Sequence, residues 1–176
     1  DEDGDRVVVR GGDYTVNNPA ALNVNHGIEI EFTEAGDGAT VAEFNGSVNF
    51  DPAANGSDSE VDINSTNGGS LEFTTATTFE LRSGDVNIDA SSTVVLASGA
   101  TVNRGTGSGA PALNNSGPTF GANVNVNYNT GSAVTSGPEL PSDGDLGSGN
   151  LNVLASTVTF DQSVDASEFG LVDGAV

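Results

Sequence analysis

Short apolar–x–apolar units recur along this chain, and their spacing limits the fold more than any other feature of the sequence. From Leu71 the units begin at residues 71, 79, 86, 94 and 102, one every seven or eight residues. Turn formers fill the intervals: Thr74–Thr78, Ser83-Gly84-Asp85, Ala90–Thr93 and Ser98-Gly99-Ala100. Alternation at period two puts each apolar pair on one face of a strand and sends Asn, Thr, Glu or Asp outward. The same signature marks Val7/Val9, Tyr14/Val16, Leu22/Val24, Ile28/Ile30/Phe32, Val48/Phe50 and Val61/Ile63. Downstream it marks Val124/Val126/Tyr128, Leu151/Val153 and Val158/Phe160. No stretch sustains the three-and-four spacing of an amphipathic helix.

A strand, a corner and another strand, repeated this tightly, is the rhythm of a polygonal coil. Three sides make a rung of roughly 22–24 residues, within the usual range of solenoid repeats. The expectation is an all-β, single-domain parallel β-solenoid. A β-sandwich or jelly roll is the alternative, because antiparallel folds also place turns every ~8–12 residues. Very short strands, and the scarcity of Asn-Gly turns centred between them, favour the coil. A low apolar content, 35%, suits it too, since each rung buries only a narrow strip.

The stretch Leu71–Val102, with its S-G-D-V-N-I-D and A-S-G-A-T-V-N phrases, resembles passenger and adhesin β-helices. The order Val126-Asn127-Tyr128-Asn129-Thr130-Gly131, Glu139-Leu140-Pro141, Asn150-Leu151-Asn152-Val153 and Ser156–Val164 is similar to β-helical repeats of large bacterial surface proteins. The resemblance spans about half of the chain and rests on degenerate motifs. It implies a surface-exposed structural or adhesive module and brings no catalytic residues with it.

Two stretches break the rhythm: Gly105–Asn123, rich in Gly, Pro and Ser, and Thr135–Asn150, carrying Pro138, Pro141, Asp143 and Asp145. Both are expected as loops, near 105–123 and 135–150, inserted in a solenoid body of residues 13–176 that follows an acidic segment, 1–12. Loops on a rigid scaffold are where binding concentrates.

Charge narrows the partners. Twenty-five acids face four arginines, with no Lys, for a formal −21. Such a surface repels nucleic acid and anionic lipid and suits a hypersaline or marine setting, where salt screens the repulsion. With no Cys there is neither disulfide nor Cys-ligated zinc. No apolar run approaches the roughly 18 residues of a membrane helix, so membrane insertion is not expected. Without an initiator Met, an extracellular or cell-surface protein released by upstream processing is the expectation.

Candidate chemistry is sparse. Asp1-Glu2-Asp3-Gly4-Asp5 places Asp1, Asp3 and Asp5 at the alternating positions of a calcium loop, but Gly12 stands where a bidentate acid would be needed. An acidic terminus without a bound ion is the simpler reading, and no cofactor is expected. His26, the one histidine, follows Asn25 and precedes Gly27, a turn setting with no nucleophile motif near it. Acid pairs such as Glu29/Glu31 are too common here to mark a glycosidase. Four sequons, at Asn45, Asn55, Asn64 and Asn114, are candidate glycan sites.

Arg6-Val7-Val8-Val9-Arg10 is apolar on both faces, as a doubly covered strand would be. It is the candidate assembly strand, with Val7, Val8 and Val9 pairing into a neighbour. The functional expectation is a structural, non-enzymatic extracellular protein. It would self-assemble into a surface filament, a homopolymer built by end-to-end or donated-strand pairing. An adhesin or carbohydrate-binding module of a larger surface protein is the alternative, with extracellular glycans as partners. A β-helical polysaccharide-degrading enzyme is the weakest reading.

Overall fold

Each short apolar pair forms a strand, and each strand lies beside the strand one rung away. The fold, taken from a computed structural model, is described at residues 6–10, 13–16, 22–24, 28–33, 41–44, 47–52, 60–66, 70–73, 77–90, 92–106, 110–154 and 157–171. For 6–10, 13–16, 28–33, 41–44, 60, 65 and 66 only the backbone is described.

The first rung consists of β1 (Arg6–Arg10), β2 (Asp13–Val16) and β3 (Leu22–Val24). The second holds β4 (Ile28–Thr33), β5 (Val41–Phe44) and β6 (Val48–Phe50), and the third β7 (Glu60–Thr66), β8 (Ser70–Phe73) and β9 (Thr78–Leu81). Next come β10 (Asp85–Ile88), β11 (Thr93–Leu96) and β12 (Thr101–Arg104), then β13 (Ala112–Asn115), β14 (Thr119–Phe120) and β15 (Asn125–Tyr128). The last strands are β16 (Val134–Thr135), β17 (Asn150–Val153), β18 (Val158–Thr159) and β19 (Glu168–Leu171).

Every described pairing is parallel. The sheets run β1-β4-β7-β10-β13, β2-β5-β8-β11-β14 and β3-β6-β9-β12-β15-β17-β19, with β16 and β18 forming a fourth. The chain is therefore an all-β parallel solenoid, and the sandwich alternative falls away because it would require antiparallel neighbours. Stacked asparagines are 24, 25 or 27 residues apart in the later rungs, at or just above the expected rung.

Register turns the alternation into columns. Leu71, Val94 and, one step along, Phe73, Leu96 and Phe120 stack in one sheet. Val48, Phe79, Val102, Val126 and Leu151 stack in the longest. These side chains fill the lumen, with Phe50 and Phe79 rings 4.9 Å apart and Phe73 edge-on to Phe79 at 5.2 Å. Each fully buried Leu, Val or Phe contributes about 1.5–3 kcal/mol.

Corners carry the conformational cost. Gly105 ends β12 with φ +88°, and a Cβ there would stand 2.5 Å from the Asn129 carbonyl oxygen. Only glycine meets both conditions.

The structure differs from expectation inside 105–123. That stretch carries β13 and β14, which continue two sheets of the coil instead of bulging from it. A single inward Leu113 and a two-residue strand suffice, because parallel neighbours supply the backbone partners. The 135–150 stretch is mostly turns, bridged to the next layer between Asp145 and Asp165.

Candidate functional site

Two features depart from a uniform apolar coil: a charged cluster inside the lumen and an open cleft on the outside. Both draw residues from the two stretches expected as loops.

β12 alternates as its neighbours do, so its second inward position falls on Arg104, stacked between Leu81 and Tyr128. Burial of a guanidinium demands partners, and these converge. Arg104 Nε donates to the Pro111 carbonyl (2.7 Å), and Nη1 donates to the Thr135 carbonyl (2.7 Å) and to Glu139 Oε1 (2.6 Å). The same Oε1 accepts from the Tyr128 hydroxyl at 3.0 Å and from the Gly137 N–H at 3.1 Å. Glu139 is 0% exposed, and its Oε2, equally buried, has no hydrogen-bond partner. Burial pushes the Tyr128 hydroxyl well above its ordinary range, reinforced by the Glu139 carboxylate and its hydrogen bond, while Arg104 opposes the shift. One arginine thus ties the strand end, the Pro111 turn and the 135–139 stretch together. The cluster is buried, with side-chain exposure of 8% for Arg104 and 0% for Glu139.

The cleft, about 640 Å³, lies where the two stretches meet. Gly117–Phe120 form one wall, Gly137, Pro138 and Leu140–Asp143 the other, with Asp145, Asp161 and Gln162 completing the rim. Glu139 turns into the lumen while its neighbours face the cleft. Asp161 Oδ1 accepts from Ser136 Oγ at 2.7 Å, and Gln162 Nε2 donates to the Pro141 carbonyl at 2.6 Å. Asp143 and Asp145 each accept a backbone N–H two residues on, an Asx turn in each case. The cleft offers acids, carbonyls and the half-buried Phe120 ring. Among the described residues, no group of three or more acids or histidines could hold a metal ion.

Outward positions form amide ladders. Asn127 Nδ2 donates to Asn103 Oδ1 and Asn152 Nδ2 to Asn127 Oδ1, both at 2.8 Å. Asn49 donates to Asn23 at 2.8 Å, and Asn114 to Asn87 and Asn87 to Asp62 in a second column.

The residues singled out from sequence fall as follows. Val7, Val8 and Val9 lie in β1, paired in parallel with Ile30, Glu31 and Phe32 of the same chain. Asp1, Asp3, Asp5, His26, Asn45 and Asn55 lie outside the described residues. Asn64 is half-buried in β7, and Asn114 is half-buried with its amide nitrogen engaged in the ladder. Sequence reasoning missed Arg104, Tyr128 and Glu139 as a unit. The available signal was an arginine at an inward position, two residues after Val102 in a T-V-N-R strand.

The class defined by this architecture is the parallel β-solenoid. Beyond the class, no protein-family model, no curated protein and no solved structure matches the chain.

Proposed function

We propose that the chain is a structural, non-catalytic protein of an extracellular surface, whose coil joins other copies end to end to build a filament. One observation carries this reading. Among the described residues, the outermost strands of the seven-stranded sheet, β3 and β19, each pair on one side only, and both expose apolar side chains: Leu22 at one end, Phe169 and Leu171 at the other. Unpaired backbone beside exposed apolar groups is the means by which one sheet extends another. The acid-rich, Lys-free surface fits a protein working in salt, outside the cell.

Donation of Val7–Val9 to a neighbour is the second route to the same polymer. In the single chain β1 already pairs with β4, so donation exchanges an internal pairing for an external one. Negative-stain electron microscopy in high salt, with and without residues 1–12, separates the routes. Filaments that vanish on truncation assign the joint to β1, and filaments that persist assign it to end-on stacking. Monodisperse particles from the intact chain overturn the filament reading.

A glycan-binding module is the alternative favoured by the cleft, because both expected loop stretches line it. Replacing Asp143, Asp145 and Asp161 by Ala then removes glycan binding on an array and leaves assembly untouched.

A further inference from the structure

Among the described residues four large apolar side chains are exposed: Leu22, Leu154, Phe169 and Leu171. Three of them sit on the two outer strands of one sheet. Phe169 and Leu171 stand opposite Leu151 and Val153, so they prolong the columns that fill the lumen. They are 52% and 57% exposed, against 1% and 3% for those neighbours. Phe169 is also held in place, its ring edge-on to Phe160 at 6.3 Å. At the opposite end Leu22 and Val24 stand over Val48 and Phe50, beginning the same two columns.

Resting on the filament reading above, we propose that the joint is a parallel pair between β19 of one copy and β3 of the next. The seven-stranded sheet then runs unbroken from copy to copy. The two strands match residue for residue: Phe169-Gly170-Leu171 against Leu22-Asn23-Val24, each with apolar residues inward and one position outward. Leu22 covers Phe169, Val24 covers Leu171, and Asn23 falls opposite Gly170. The direction is fixed, since the strand pairs within the coil are parallel. Gly170 also interrupts the amide ladder, because a Cβ there would run into Asn152 Oδ1. Asn152 Oδ1 fills the space over Gly170 where a side chain would stand, so the approaching Asn23 amide meets that oxygen. Two different surfaces meet in this contact, and because each added copy continues the coil along its own axis, the assembly stays open and grows as a filament.

The test uses two full-length variants in high salt, Leu22→Asp and Phe169→Asp, each checked for an intact β spectrum by circular dichroism. A charge buried unpaired in the joint disfavours it strongly. Each variant alone is expected to lose filaments completely, since each spoils one end. Mixed in equal amounts they are expected to form dimers, since the intact β19 end of the Leu22→Asp copy fits the intact β3 end of the other. Leu171→Asp repeats the test should Phe169→Asp misfold. Variants that polymerise as the wild type does overturn this joint and leave the filament reading standing. A mixture that stays monomeric overturns the β19–β3 match. A wild type that forms no filaments at any salt concentration overturns the filament reading itself, and the joint with it.

Discussion

Arg104 shares its column with Leu81 and Tyr128, and its charge there is tolerable only because Glu139 lies 2.6 Å away. Desolvating two ions costs about as much as their attraction returns, so the pair adds little net stability; removing one partner is what costs, about 3–5 kcal/mol. Glu139→Gln is therefore expected to destabilise the coil by about that much, read from denaturant unfolding. Adding Arg104→Leu should recover part of the loss, because Leu continues the Leu81 column and no charge is left stranded. Additive losses would contradict the coupling. The Tyr128 hydroxyl follows the same logic through protons. Its ordinary value is 10.0, and burial raises it in the fold. The folded chain holds this proton more tightly than the unfolded one, so the stabilisation is complete below pH 10 and declines as pH rises beyond it. In a Tyr14→Phe background, phenolate absorbance should appear only together with loss of the β spectrum. Phenolate formation near pH 10 in an intact coil would refute the burial argument.

At the scale of the strand, the coil depends on identical contacts repeated along a column. Asn127 both donates to Asn103 and accepts from Asn152, whereas Asn152 donates once within its ladder. Each half-buried hydrogen bond is worth about 0.5–1.5 kcal/mol net. Asn127→Ala is thus expected to cost about 1–3 kcal/mol, roughly twice Asn152→Ala, in equilibrium unfolding. Equal losses would show that the ladder adds nothing beyond its backbone bonds. The strands that were legible in the sequence, such as Phe79/Leu81 and Val94/Leu96, carry two apolar residues at period two. Those that were not have a reason each. β13 buries a single apolar residue, Leu113, and ends on the exposed Asn115, β14 and β16 have two residues apiece, and β19 places a glycine between its apolar pair. Backbone pairing with a neighbour already in place makes such weak segments strands, and that neighbour is invisible along the chain. The lumen cluster was illegible for a related reason. Glu139 lies 35 residues from Arg104, and only the winding of the coil brings them together.

For the molecule as a whole, the balance is between a narrow apolar lumen and a formal charge of −21. Self-repulsion of like charges opposes the compact state and opposes still more the addition of a second equally charged copy. Screening shortens its reach from about 30 Å at 0.01 M salt to about 3 Å at 1 M. Two consequences are expected on a sodium chloride series. The thermal midpoint read by circular dichroism rises with salt, and the critical concentration for filaments falls over the same range. The second change should be steeper, since joining copies adds repulsion between chains to repulsion within each. Tetramethylammonium chloride should act like sodium chloride at equal ionic strength, because screening is indifferent to the cation. Calcium gives the contrary case. If millimolar calcium replaces molar sodium chloride, and removing residues 1–12 with Asp1, Asp3 and Asp5 abolishes the effect, a bound ion rather than screening holds the acidic coil together. Equal responses to all three salts at matched ionic strength leave those acids as surface charge and assign the stabilisation to screening.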